Sequence, residues 1–265
     1  MNQSNAVQIY QPSYNLPILA DRDEMMELMQ DMEGVTPEFQ RVKFPAGGAL
    51  AFDLKDESGE DVAISDLQGV IIDRHAVNVY YKSAFTGGNE APDCTAADGK
   101  IGRAAEGAPV PWAGGCQECA TCPFNQFGPN NEPKPCKNQE RLYLLREGDI
   151  FPVIITVPPT SRKPLNSYLS GLMNKLKPAH AVVTSIKLKK EVSNGGIKYS
   201  SGVFTKVKDL TKDEAKAIKA YGEQLRPILR REPEQVVTVV EEGYGASAPP
   251  PSDEMAPPEA EDQLF

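Results

Sequence analysis

From residue 40 onward, hydrophobic and polar positions alternate in short runs, and this period of two is typical of β-strands. The runs are rich in Val, Ile, Tyr and Phe, and turn residues bound most of them. Seven strands are predicted on this basis, at 41–44, 49–54, 69–82, 141–145, 151–157, 181–192 and 197–207. The last two are predicted to form a hairpin, because Ser193-Asn194-Gly195-Gly196 separates them and Asn-Gly supplies the positive φ angles of a tight turn.

Three segments have helical spacing instead. A Met-rich stripe predicts a short helix over 23–33, and a capping-box pattern at Thr211 and Glu214 opens a second helix that Pro227 should end or kink. Between them, a helix over 161–177 is predicted, with Pro178 as its stop. Its apolar stripe consists of Leu165, Leu169, Leu172 and Leu176.

Many short strands and few helices favour a mostly β (α+β) fold, either a small barrel or an open Greek-key sheet. The chain is divided into an N-terminal arm with a short helix (1–34), a main domain (35–231) and a tail (232–265). A cysteine-bearing insertion interrupts the main domain at 90–140. The tail is rich in Pro, Gly and acids, so it cannot bury enough apolar surface to fold and is expected to be disordered.

Charge is distributed unevenly along the chain. The whole sequence has 28 Lys and Arg against 37 Asp and Glu, but residues 232–265 hold nine of the acids and no Lys or Arg. Residues 162–208 hold ten basic residues and one acid, Glu191. A basic body with an acidic tail indicates contact with nucleic acid, although the average charge alone would argue against it.

Other classes of protein are disfavoured. The longest apolar run is too short for a membrane span, and the N-terminus lacks a signal peptide, so a cytoplasmic protein is expected. The two histidines, His75 and His180, lie in no metal or nucleophile motif, and no Gly-rich phosphate loop is present. We therefore predict a binding protein, not an enzyme, with no small-molecule substrate.

The cysteines are the most specific chemical signal. Cys116, Cys119 and Cys122 are separated by two residues each, Cys136 follows, and Cys94 lies upstream. Thiolates at this spacing can bind one tetrahedral Zn²⁺, and five cysteines compete for four positions. The zinc would be structural, since four thiolates leave no open coordination position. An iron–sulfur cluster is the alternative that this spacing also permits.

The segment from Cys119-Ala120-Thr121-Cys122-Pro123-Phe124 to Cys136-Lys137, together with the acidic C-terminus ending in Phe265, resembles a known family. It is similar to zinc-bearing, OB-fold-like single-stranded DNA-binding proteins of bacteriophages and mobile elements. The resemblance implies an OB-type barrel and one structural zinc bound by Cys94, Cys119, Cys122 and Cys136, with Cys116 as the alternative ligand. It also implies a tail whose Asp262, Leu264 and Phe265 bind replication or recombination proteins in a bacterial host cell.

Binding of an unpaired strand requires cations for phosphates and aromatic faces for bases. The candidate phosphate contacts are Arg162, Lys163, Lys175, Lys177, Lys187, Lys189, Lys198 and Lys206. The candidate stacking residues are Tyr80, Tyr81, Trp112, Phe124, Phe127, Tyr143, Tyr199 and Phe204, of which at least half should be core residues. Trp112 and Tyr199 are expected to be the most exposed. The alternative function is a zinc-dependent transcription or assembly factor that binds proteins rather than DNA.

Overall fold

The structure is a computed structural model. The described residues are 24, 27, 31, 39–56, 58–83, 91–129, 132–193 and 195–230. The strands are β1 (Arg41–Lys43), β2 (Phe52–Lys55), β3 (Asp61–Ile64), β4 (Asp66–Tyr80), β5 (Cys94–Ala96), β6 (Ile101–Ala104), β7 (Cys116–Glu118), β8 (Lys137–Leu145), β9 (Val153–Val157), β10 (Val182–Val192) and β11 (Lys198–Asp209). The helices are α1 (Pro159–Met173) and α2 (Lys212–Leu229), with short 3₁₀ turns at Pro123–Asn125 and Ala179–Ala181. The predicted mostly β, α+β class is confirmed.

One mixed sheet of nine strands organises the protein, and β4 is its central strand. The strands follow the order β1-β9-β8-β4-β5-β6-β7, with β1 parallel to β9 and the other neighbours antiparallel. The hairpin of β10 and β11 pairs with the first third of β4, along 66–70, whereas β5 pairs with its end, along 78–80. A single antiparallel bridge between Ala46, which follows β1, and Tyr199 of β11 joins the two ends of the path β1-β9-β8-β4-β10-β11. Among the described strands, this bridge brings the sheet towards the predicted barrel, while β5, β6 and β7 extend the sheet outside that path.

Both faces of the central sheet are covered. Alternate residues of β8 contribute to two separate cores: Leu142 and Leu144 face α1, while Tyr143 and Leu145 face α2. The continuous apolar run at 142–145 follows from this two-sided burial. Helix α2 approaches β4 closely, since a Cβ added at Gly222 would lie 2.9 Å from the carbonyl oxygen of Ile72.

The helix boundaries correct two predictions. The capping box at Thr211 and Glu214 forms as predicted, and α2 continues through Pro227 to the buried Leu229, so of the two predicted effects of Pro227 the ending of the helix is wrong. Helix α1 ends at Met173, before Leu176, which is 93% exposed and has a φ of 54°. Placing Leu176 in the apolar stripe was therefore wrong, because the chain leaves the helix one turn before Pro178.

Four strands were missed by the sequence-based prediction, namely β3 and the three strands of the cysteine insertion, β5, β6 and β7.

Of the predicted N-terminal helix, residues 24, 27 and 31 are helical and exposed, and the rest of the arm lies outside the described residues. The predicted tail also lies outside them, including Asp262, Leu264 and Phe265. Within the described part of the chain, no helix is long and apolar enough to span a bilayer.

Candidate metal centre and cationic surface

Four of the five cysteines line one small cavity on the α1 side of the sheet. Cys94 begins β5, and the other three come from the turns around β7 and β8: Cys119, Cys122 and Cys136. The cavity measures about 20 Å³, and Asn78 and Tyr80 of β4 form its floor. These are the four cysteines that the family resemblance implies as zinc ligands.

Strand register explains why Cys116 is not among them. Cys94 pairs with Ala104, whereas Cys116 pairs with Arg103, the neighbour of Ala104 on β6. Because successive residues of a strand point to opposite faces, Cys116 faces away from the cavity that Cys94 enters. Consistent with this, Cys116 is exposed, and Nη1 of Arg103 lies 4.0 Å from its Sγ.

The cavity is shaped closely around sulfur atoms. A Cβ added at Gly102 would lie 2.9 Å from the Sγ of Cys94 and 3.8 Å from that of Cys119, so glycine leaves space for these two thiols. The buried indole Nε1 of Trp112 lies beside the cavity without a well-formed hydrogen bond, and its interaction with the Cys94 thiol lowers the pKa of that thiol against the larger effect of burial. An N–H in this position suits a thiolate acceptor, so this donor set fits a metal held by sulfur.

Burial favours the neutral form of three thiols in this cavity. Burial raises the pKa of Cys94, Cys119 and Cys136, that of Cys136 to about 12. In the described part of the chain, no three His, Cys, Asp or Glu side chains already stand in metal-binding geometry. Metal binding would therefore release protons from the thiols and draw their sulfur atoms together.

Three asparagines, two from the sheet and one from the 3₁₀ turn, form a hydrogen-bond network beside the cavity. The Nδ2 of Asn138 on β8 donates to the Oδ1 of Asn78 on β4 at 2.7 Å and to that of Asn125 at 2.8 Å. Asn125 in turn donates to the carbonyl oxygen of Cys119 at 2.7 Å. Lys134 Nζ reaches the Oδ1 of Asn138 at 3.3 Å, so the same network extends to a cation outside the cavity.

Two adjoining grooves flank α1, and none of their lining residues is acidic. The cysteine-side groove, about 880 Å³, contains Lys134, Lys137, Arg162 and Lys163. The hairpin-side groove, about 530 Å³, contains Lys175, Lys177, Lys189 and Lys206. Ser167 of α1 lines both grooves, so together they form one cationic surface. Cys136 lines both the cysteine cavity and the cysteine-side groove.

Acidic residues engage some of these cations from outside the grooves. Asp209 accepts from Lys177 and Lys206, each at 2.7 Å, and these contacts lower the pKa of its carboxyl. Lys189 pairs with Glu191, and Arg162 lies 4.0 Å from Glu140. In contrast, Lys134, Lys163 and Lys175 have no acidic partner within ion-pair distance among the described residues.

The grooves bring together most of the predicted phosphate contacts. Six of the eight line them: Arg162, Lys163, Lys175, Lys177, Lys189 and Lys206. Lys187 lies outside and pairs with Asp66 at 3.4 Å, and Lys198 lies near the exposed tip of the β10–β11 hairpin. Sequence reasoning missed Lys134 and Lys137 as groove residues, although both flank Cys136 and could have been chosen on that ground.

The predicted stacking residues are placed less favourably. Trp112 is half-buried with its ring 5.6 Å from Phe124, and Tyr199 is half-buried as well, so the expectation that these two rings are the most exposed was wrong. Tyr80 is buried against the same ring at 4.6 Å, and half-buried Tyr199 donates its hydroxyl to Glu191 at 2.8 Å. Phe127 is 66% exposed in the cysteine-side groove.

Phe127 also has a cation beside its ring, because Nζ of Lys134 lies 5.0 Å from the ring centroid. Of the remaining aromatic candidates, Tyr143 and Phe204 are buried, and Tyr81 and Phe124 are half-buried. Tyr168, which was not predicted, lines the hairpin-side groove and shares a 2.8 Å hydrogen bond with Thr184.

Comparison of the chain with protein-family models, curated proteins and solved structures gives no match.

Proposed function

We propose that this protein binds single-stranded DNA without sequence preference, along the two grooves that flank α1. The observation that carries the proposal is the combination of eight cations, no lining acid and the exposed ring of Phe127 on one continuous surface. Phosphates require such cations, while a base can stack on an exposed ring whatever its identity. A duplex would offer phosphates but no unstacked base to Phe127.

We further propose that Cys94, Cys119, Cys122 and Cys136 hold one structural Zn²⁺. The segment between Cys122 and Cys136 supplies Phe127 and Lys134 to the cysteine-side groove, and it has little apolar core of its own. A metal can hold such a segment in place where packing cannot. The cysteine centre would thus build one wall of the binding surface, and it would have no catalytic role.

We also propose a role for the acidic tail, residues 232–265, in binding protein partners. Its acidic residues and Phe265 would bind replication or recombination proteins, as the family resemblance implies. A terminal phenylalanine with its carboxylate suits a pocket rimmed by Arg or Lys on such a partner.

The test is fluorescence anisotropy of a labelled oligo-dT, compared with a duplex of equal length at low and high salt. We expect tight binding to oligo-dT at low salt, weaker binding to the duplex and a steep loss as salt rises. A colourless protein that retains one zinc per chain would exclude the iron–sulfur alternative. Absence of oligo-dT binding at low salt would reject the proposal and leave the protein-binding transcription or assembly factor.

A further inference from the structure

The turn that ends α1 is built in an unusual way. The N–H of Lys177 donates to the carbonyl of Leu172 at 3.0 Å, and the N–H of Leu176 donates to that of Met173 at 2.9 Å. This pair of hydrogen bonds defines a Schellman motif, in which the residue at the position of Leu176 adopts the left-handed conformation and is usually glycine. Leu176 occupies it with a φ of 54°, which is unfavourable for a side chain with a Cβ.

The strained residue gains nothing from packing. Leu176 is 93% exposed, and Met173 beside it is 68% exposed. Neither value reflects a general looseness of the helix, since Leu172 is 5% exposed and belongs to the core. The strained backbone of Leu176 does not bury its side chain, so the outward-facing side chain is expected to have a function.

The lysines beside Leu176 indicate which kind of ligand its side chain contacts. Lys175 and Lys177 flank Leu176 in sequence, and both line the hairpin-side groove, whereas Leu176 itself is outside the lining and lies at the rim between them. Among the large apolar side chains of the described residues, the three most exposed are Leu176, Met173 and Phe127. Phe127 lies in the groove at the start of α1, and the other two lie at its end.

We infer that Leu176, supported by Met173, contacts the unstacked bases of a strand whose phosphates lie on Lys175 and Lys177. This inference rests on the proposed function and extends it, since it assigns a second base contact at the opposite end of α1 from Phe127. Helix α1 has fifteen residues and is about 22 Å long, so a strand lying along it meets an apolar contact near each end. In proteins that bend duplex DNA, leucine and methionine side chains insert between base steps, so such side chains can pack against the faces of bases.

The experiment compares two ligands of equal length, an oligo-dT and an abasic oligonucleotide that keeps only the sugar-phosphate backbone. The variants are Leu176→Gly, which keeps the left-handed turn, and Leu176→Asn, which keeps both the turn and a side chain. Leu50→Ala serves as control, because Leu50 is 54% exposed but, unlike Leu176, is not flanked by lysines that line a groove.

We expect Leu176→Gly and Leu176→Asn to bind oligo-dT roughly fivefold more weakly, since about 40 Å² of apolar contact would be lost. Their affinity for the abasic strand should equal that of the wild type, and Leu50→Ala should bind both ligands normally. A Tm of Leu176→Gly at or above that of the wild type would exclude misfolding as the cause.

Unchanged oligo-dT affinity in both Leu176 variants would overturn the inference while leaving the proposed function intact. Equal losses on both ligands would also overturn it, because the effect would then come from the backbone of the strand and not from its bases. If the wild type bound neither ligand, the proposed function would fail first.

Discussion

Replacing Lys163 and Lys175 together by glutamine tests whether phosphates lie in both grooves. Lys163 lines the cysteine-side groove and Lys175 the hairpin-side groove, and both are exposed. Neither has an acidic partner among the described residues, so their removal leaves no carboxylate unpaired. Glutamine matches lysine in helix propensity at position 163 of α1, and Lys175 is an exposed residue after the helix, so the fold should be unaffected.

The magnitude follows from the number of cations that line the grooves. For single strands, the slope of log K against log salt is about −0.7 per phosphate contacted, so eight contacts would give about −5.6. The double variant loses two contacts, and its slope should be shallower by about 1.4. Ion pairs with Asp209, Glu191 and Glu140 make the total an upper limit, but they do not affect the difference.

The assay is anisotropy of labelled oligo-dT at several salt concentrations. The matched control is Lys212→Gln with Lys216→Gln, which removes the same charge from exposed positions on α2, the helix that covers the other face of the sheet. Its slope should equal that of the wild type. The assignment of the grooves would be refuted if the Lys163/Lys175 variant kept the wild-type slope, or if the control changed it equally.

Three further predictions concern the metal, pH and stability. In native mass spectrometry, Cys116→Ser should retain one zinc per chain and Cys119→Ser should lose it, because of these two cysteines only Cys119 lines the cavity. The reverse result would contradict the proposed ligand set. Burial lowers the pKa of His75 to about 4, below the ordinary value near 6.5 of an unfolded chain, so stability should fall as pH drops from 6.5 towards 4. His75→Phe, which preserves an aromatic ring against Tyr143, should remove about 1–2 kcal/mol of that acid loss in urea unfolding at pH 7 and 4.5, and an unchanged pH dependence would exclude His75 as its source. Leu176→Gly should raise the free energy of unfolding by about 1 kcal/mol, as measured by urea denaturation, because the left-handed strain disappears; a loss of stability would show that the leucine packs.

The sequence predicted the parts of the fold whose burial is regular. The β10–β11 hairpin, the apolar run of β8 and the capping box of α2 each follow from a local pattern that tertiary contacts reinforce. The strands of the cysteine insertion were missed, because three- and four-residue strands such as β5 and β6 are too short to show a period of two.

The candidate site was predictable in its residue types and less so in its geometry. The high density of basic residues in 162–208 predicted the hairpin-side groove, since all its lining residues lie in that range. Exposure of aromatics was not predictable: Trp112 lies in a Gly/Pro-rich loop, yet this loop folds onto Phe124 beside the cysteines. Likewise, Lys134 reaches the groove through the return of the chain to β8 at Cys136, and no local pattern encodes that return.

The carboxylate that Lys177 and Lys206 share has a consequence for how an anion would enter the groove. Because Asp209 already occupies both ammonium groups, an incoming phosphate must exchange with this resident carboxylate rather than fill an empty position. The net free energy of each such contact is the difference between two similar ion pairs, and it is therefore small. Exchange of this kind favours rapid turnover of the proposed strand at these two lysines over its tight retention.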